Sequence, residues 1–314
     1  MNARAVSFLL VLMSLLLSAQ AQEEPLFAQY RTNAFLINPA VAGTYESHQI
    51  RLNHRAQWMN FPGAPRTTVM SYQGFVDNKN SVGFTAFRDA IGPNVRTGIQ
   101  GAYAFRMPVG YSGTMGQNYL SLGMSAKLMQ YRFQTQSTFL QDRSDVLAWE
   151  AYRGLVYGDV AFGAYFYNDN MYVGMSAPNL IRSDLAVPSG SASPEIVSRL
   201  YRYYFAFAGY YFRYDNMTIE PSILFKKIAN SPYQIEGTVR FHLVEERFIV
   251  GLSYRTDWTG TLMVGVKAAP LSFYYSHDLM PVSQRDLNFG ASHEFTLGFD
   301  LGEKGNWSKY FKEK

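Results

Sequence analysis

The chain has 314 residues, of which 16% are aromatic, 17% are charged and none is Cys. A soluble domain of this size usually carries about 25% charged residues, and the lack of Cys excludes disulfides, thiolate metal sites and Cys nucleophiles. The formal net charge of +4, with Lys and Arg scattered along the chain, gives no case for nucleic acid as a partner.

Met1 to Arg4 is short and basic, Ala5 to Leu17 is apolar, and Ala19-Gln20-Ala21 places small residues where a signal peptidase reads. This predicts a secretory signal peptide over 1–21, cut after Ala21. The apolar run is short for a membrane span, and Gln22 follows the cut where a lipoprotein would need Cys. Residues 22–47 come next. Phe27, Tyr30, Phe35, Leu36 and Ile37 make this segment too apolar for a free linker. It is expected either to plug whatever follows, from inside or across its periplasmic mouth, or to be a plain lead-in to the first strand.

From Gln49 onward, alternation dominates. Ile50, Leu52, Ala56 and Trp58 share one face, while Gln49, Arg51, Asn53, Arg55 and Gln57 share the other. The same period of two recurs at Tyr119 to Leu128, Tyr233 to His242 and Ala291 to Leu301, and it specifies strands with one apolar and one polar face. Candidate strands fall at 48–58, 66–76, 81–89, 95–106, 118–132, 159–168, 170–177, 200–213, 216–227, 233–242, 246–255, 260–269, 271–278 and 288–301, fourteen in all. Asp77 to Asn80, Asn168 to Asn170, Tyr214 to Asn216 and Asn230 to Pro232 read as tight turns. Residues 133–158 and 178–199 read as long surface loops. Gly110, Gly113 and Gly116 read as a flexible connection and not as a phosphate loop, since no helix follows them.

A soluble sandwich turns its apolar faces inward, whereas a membrane barrel turns them out to lipid and keeps its polar groups in the lumen. Arg51, Lys127, Glu236, Arg240 and Lys267 are true charges at mid-strand, and the strands run to about 9–13 residues, as a tilted span requires. Aromatic clusters such as Tyr201 to Tyr204, Tyr210 to Phe212 and Phe273 to Tyr275 suit interfacial girdles. The expected fold is therefore an all-β transmembrane antiparallel barrel of about fourteen strands over 48–301, in the bacterial outer membrane. An even count leaves both ends periplasmic, and closure is needed because hydrocarbon cannot satisfy an open edge. The tail 302–314 interleaves Trp307, Tyr310 and Phe311 with Lys304, Lys309, Lys312 and Lys314. It reads as an amphipathic peptide for a periplasmic partner or the headgroup layer, or as a solvated end.

Signs of catalysis are weak. In Ser276-His277-Asp278, alternation points His277 away from the other two, and the same holds for Ser292-His293-Glu294. His48 and His54 share a face but lie too far apart on one strand to share a metal. No enzyme, cofactor or metal is implied. The stretch HRAQWMNFPGAPRTT, 54–68, is expected to turn the chain from the first strand to the second on the extracellular rim, with Trp58 and Phe61 at the interface level. It is read as a structural corner or as the edge of a partner-binding pocket.

The segment EEPLFAQYRTNAFLINPAVAG, 23–43, resembles the opening signature of the PorP/SprF family of type IX secretion system outer-membrane proteins, most clearly in Asn38-Pro39-Ala40 and Ala42-Gly43. Arg55, Gln57, Trp58, Gly63, Ala64, Pro65 and Thr67 resemble the next block. RDAIGP (88–93), GAYAFR (101–106), YVGMSAPNL (172–180), EPSILFK (220–226), GLSYRT (251–256) and SHEFTLGF (292–299) follow in order. Val41 departs from the aromatic expected there. The resemblance implies an outer-membrane component of type IX secretion and gliding motility. Such a protein is expected to anchor periplasmic secretion machinery, or to hold a secreted adhesin at the cell surface through that adhesin's C-terminal domain. The alternative is a diffusion pore or small-substrate transporter.

Overall fold

The computed structural model describes residues 29–45, 47–113, 116–133, 153–181, 184–187, 195–199, 202–228, 232–279 and 290–301. The expected signal peptide 1–21 and the tail 302–314, with Trp307, Tyr310 and Phe311, lie outside them. The strands are β1 (His48–Ala56), β2 (Arg66–Phe75), β3 (Asn80–Ile91), β4 (Asn94–Ser112), β5 (Gly116–Phe133), β6 (Arg153–Tyr167), β7 (Met171–Ala177), β8 (Asp184–Val187), β9 (Glu195–Arg199), β10 (Tyr203–Tyr210), β11 (Phe212–Arg213), β12 (Met217–Ile228), β13 (Gln234–Leu243), β14 (Phe248–Arg255), β15 (Gly260–Ala268), β16 (Leu271–Leu279) and β17 (Ser292–Leu301).

All but β8 and β9 join one antiparallel sheet that closes on itself, since β1 pairs with β17 and β10 with β12. This sheet has fifteen strands, and β10 and β11 are two pieces of one crossing on the same partner, which makes the wall fourteen-stranded. The burial pattern runs opposite to that of a soluble sandwich. Gln49, Arg51, Asn53 and Arg55 of β1 are buried inside, while Leu52, between them, is exposed on the outer wall. Met70, Phe84, Ile99, Met124, Leu128, Phe162, Met175, Leu252 and Leu297 continue the exposed apolar band. Lipid is the solvent that this face requires. Connections at one end are the short 76–79, 113–115, 168–170, 214–216, 244–247 and 269–270, whereas the other end has 92–93, 229–233 and 256–259 together with the longer 57–65, 134–152, 178–202 and 280–291. Short periplasmic turns and longer extracellular loops orient such barrels.

The tight turns are chemically specified. Asp77 accepts from the backbone N–H groups of Lys79 and Asn80 and from the Asn80 amide, each at 2.7 Å. These donors, the Asn80 side chain foremost, hold the Asp77 carboxyl below the usual carboxylate range. The turn is therefore intact at neutral pH and loses this support only as pH falls through that lowered value.

Several sequence expectations change in detail. β1 stops at Ala56, and Trp58 lies beyond it with φ of 48°, off the strand face assigned to it. β6 begins at Arg153, inside the expected loop 133–158, and the expected loop 178–199 contains the two-stranded β8–β9 pair. The glycine connection at 110–116 is mostly strand: β4 reaches Ser112 through a register shift between Pro108 and Gly110, and β5 starts at Gly116. The expected strand 200–213 breaks at Tyr211. The gap falls opposite Glu220 and Pro221 of β12, and the Pro nitrogen has no hydrogen to give a ladder. The aromatic girdle is also corrected. Tyr203 and Tyr274 are buried on the inner face, because alternation sends every second ring of each cluster inward. Tyr204, Phe212 and Phe273 remain exposed outside.

Candidate functional site, the occupied lumen

About eight strands make a barrel that side chains alone can fill, and sixteen leave an aqueous channel. A wall of fourteen therefore needs something more to fill it. Residues 29–45 lie inside and do this. Two single 3-10 turns, Ala34–Leu36 and Pro39–Val41, fold the segment compactly. Asn38 caps the second turn by accepting from the Ala40 N–H at 2.9 Å, and Pro39 occupies the first position, where a missing N–H is harmless. The Asn38 amide also donates to the carbonyls of Ala164 (3.0 Å) and Met175 (3.2 Å) on β6 and β7. Tyr30, Ala34, Ala40 and Val41 pack on Tyr165, Tyr172, Tyr203, Phe205, Phe207 and Leu224 of the inner wall.

The wall is hollowed to receive the segment. A Cβ at Gly123 of β5 would lie 2.3 Å from the Ala40 nitrogen, and one at Gly163 of β6 would lie 2.0 Å from the Asn38 carboxamide oxygen. Glycine in a strand often marks such a close backbone approach.

Polar contacts bind the same segment to the rest of the wall. Gln29 donates to Ser276 Oγ at 3.2 Å and to the Glu294 carbonyl at 2.9 Å, and accepts from Thr296 Oγ1 at 2.6 Å. Asn33 donates to Asn53 at 3.1 Å and to Ser71 at 2.8 Å. Arg31 donates through Nε to Glu220 at 3.1 Å, and its guanidinium lies 3.7 Å over the Tyr172 ring. Glu220 is fully buried and accepts four donors: Arg31, Tyr172 OH at 2.8 Å, His242 Nε2 at 2.9 Å and Arg240. Toward the extracellular end Arg55 bridges Glu294 at 3.1 Å and Asp278 at 2.5 Å, Arg255 meets Glu236 at 2.9 Å and Arg96 meets Asp89 at 2.6 Å. At the other end Arg51 meets Asp300 at 2.7 Å. Beside Gln29, Tyr30 and Arg240 remains a cavity of about 10 Å³, room for about one water.

Ser276 and Asp278 face the lumen, where Gln29 takes up the first and Arg55 and Thr261 the second, while His277 faces outward against His293. Among the described residues no three His, Cys, Asp or Glu side chains are grouped to hold a metal ion. Trp58 and Phe61 are exposed, 41% and 49%, on a loop that is firmly built. Its Gln57 N–H donates to Pro65 O at 3.0 Å, Met59 to Ala291 O at 3.2 Å, and Gly63 O accepts from Gly92 at 2.8 Å. Gly63, at φ of +76°, makes the bend. Sequence reasoning singled out this loop, named Asn38 only as part of a family signature, and missed Gln29, Arg31 and Asn33. The available signal was the density of amides and Arg among the apolar residues of a segment too apolar for a linker.

A family model described as type IX secretion system membrane protein PorP/SprF matches residues 19–299. No curated protein matches. Solved structures similar to the chain include the CymD monoaromatic hydrocarbon channel, at 11% identity and TM-score 0.49 over 88% of this chain and 93% of that one. The P. putida toluene transporter TodX is similar at 9% identity and TM-score 0.48, over 86% and 94%. Omp33 of Acinetobacter baumannii is similar at 9% and 0.42, over 82% and 98%.

Proposed function

This chain belongs to the family of type IX secretion system membrane proteins PorP/SprF and sits in the bacterial outer membrane, and we propose that it acts there as a non-enzymatic anchor and not as a conduit. The observation that carries this reading is the occupied lumen. Residues 29–45 pack on the inner wall, and buried ion pairs tie them to it, which argues against the diffusion-pore alternative. The working surfaces are then the two rims. The extracellular rim holds a secreted adhesin through its C-terminal domain, with the Trp58–Phe61 corner as the candidate contact. The periplasmic rim and the tail with Trp307, Tyr310 and Phe311 meet the secretion and gliding machinery.

Rings exposed on a rigid corner lose little freedom on binding, which suits a docking point. Photo-crosslinking residues placed at positions 58 and 61 in intact cells capture the C-terminal domain of a surface protein, identified by mass spectrometry. Trp58→Ala with Phe61→Ala lowers surface retention of that protein while barrel levels stay normal. Unchanged retention removes the corner from the reading. Swelling of liposomes in small sugars, at rates typical of a porin, would remove the anchor reading as a whole.

A further inference from the structure

On the described barrel strands cations stand on both sides of the wall, carboxylates on one. Every carboxylate of the described barrel strands faces inward, from Asp89 on β3 to Asp300 on β17, while Arg66, Arg88 and Arg132 point outward and are exposed. These three arginines have no ion-pair or hydrogen-bond partner among the described residues. All three lie toward the end that carries the longer connections.

The register shows how abruptly the outer surface changes there. One row of paired outward positions reads Leu52, Met70, Ala86, Ile99, Leu128, and all are apolar. The next outward row toward the extracellular end reads His54, Thr68, Arg88, Thr97, Gln130, and all are polar. In the row beyond it, Arg66 pairs with Ala90, so Arg66 and Arg88 are diagonal neighbours, about 7–8 Å apart at the backbone. Two unpaired like charges so close repel, and a lipid-facing Arg is tolerated only where it leaves the hydrocarbon. Thr68 and His54, bonded to each other at 2.9 Å, add hydroxyl and imidazole beside them. A phosphate suits this patch, because a guanidinium binds it in bidentate fashion and its charge offsets both arginines.

We infer that Arg66, Arg88 and Thr68, flanked by His54, form a site on the outer wall of β1–β3 for the phosphate group of an anionic outer-leaflet lipid, whose acyl chains lie along Leu52, Met70 and Phe84. The site is independent of the anchor role and needs only the barrel and its orientation.

The test is native mass spectrometry of the full chain in detergent. The probes are bisphosphorylated lipid A, the same lipid without phosphates, phosphatidylglycerol and inorganic phosphate. The intact chain retains a phosphorylated lipid and not the dephosphorylated one, and whether lipid A or phosphatidylglycerol is retained identifies the source. Arg66→Gln with Arg88→Gln weakens retention about tenfold, equivalent to about 1.4 kcal/mol, while Arg66→Lys with Arg88→Lys loses less. Heat-modifiable migration on gels verifies that each barrel is folded, and Arg88→Gln alone serves if the pair does not assemble. Equal retention by the double Gln variant overturns the site, as does equal binding of dephosphorylated lipid. Inorganic phosphate competing as well as either lipid overturns the lipid assignment.

Discussion

A chain lacking residues 29–41 conducts ions across planar bilayers in discrete steps, while the intact chain stays closed. The deleted stretch supplies Arg31, Asn33, Phe35 and Asn38, and with them the packing against Tyr165, Tyr203 and Phe207. The wall does not depend on it for closure, because each strand keeps its ladder partners. Fourteen strands enclose more space than their own inward side chains fill, and the groups left behind, Glu220, Arg240, Asn53 and Ser71 among them, are ones that water hydrates readily. A milder version is Gly123→Val. Its side chain enters the space of the Pro39–Ala40 backbone, which cannot rotate aside as a flexible side-chain tip would. It opens the barrel part of the time without removing a residue. A deleted barrel that migrates as folded yet carries no current would show that the wall side chains alone close the lumen.

Glu220→Ala is expected to destabilise the protein by about 3–5 kcal/mol, the range for removing one member of a buried ionic cluster. The cause is less the loss of attraction than the cations left behind. Arg31 and Arg240 would stay buried at 5% and 6% exposure with no carboxylate to share, and Tyr172 and His242 would lose an acceptor. Midpoints of urea unfolding in detergent, read by Tyr and Trp fluorescence with unchanged slope, measure it. The triple replacement Arg31→Met, Glu220→Met and Arg240→Met discriminates the mechanism. If unpaired charge is the cause, the triple variant recovers most of the loss, since a buried ion cluster exchanged whole for apolar side chains is often neutral. If it is as unstable as Glu220→Ala, geometry and not charge is at issue.

The wall was legible in the sequence because its code is local. Ile50, Leu52, Arg51 and Asn53 declare two faces within four residues, and the same rule carried the count of fourteen around the ring. The interruptions were harder, because their causes lie on other strands. Nothing near Tyr211 announces a break, and the Pro that sits opposite is Pro221 on β12. The lumen filling was the least legible. Gln29 finds Glu294 across 265 positions and Arg31 finds Glu220 across 189, and such pairings leave no trace in periodicity. What could be read was that residues 22–47 are too apolar to be idle. The Trp58 corner was visible through its Pro and Gly residues, although the rotation of Trp58 out of the strand face was not, since it depends on the bonds from Trp58 and Met59 to Ser292 and Ala291.

Gln29 and Asn33 touch both sides of the seam where the first and last strands meet. Asn33 holds Asn53 of β1, Asn53 in turn holds Thr296 of β17 at 2.6 Å, and Gln29 clasps Thr296 and Glu294. The backbone ladder between β1 and β17 is thus stapled from within. Parting β1 from β17 therefore means breaking these side-chain bonds as well as the backbone ladder.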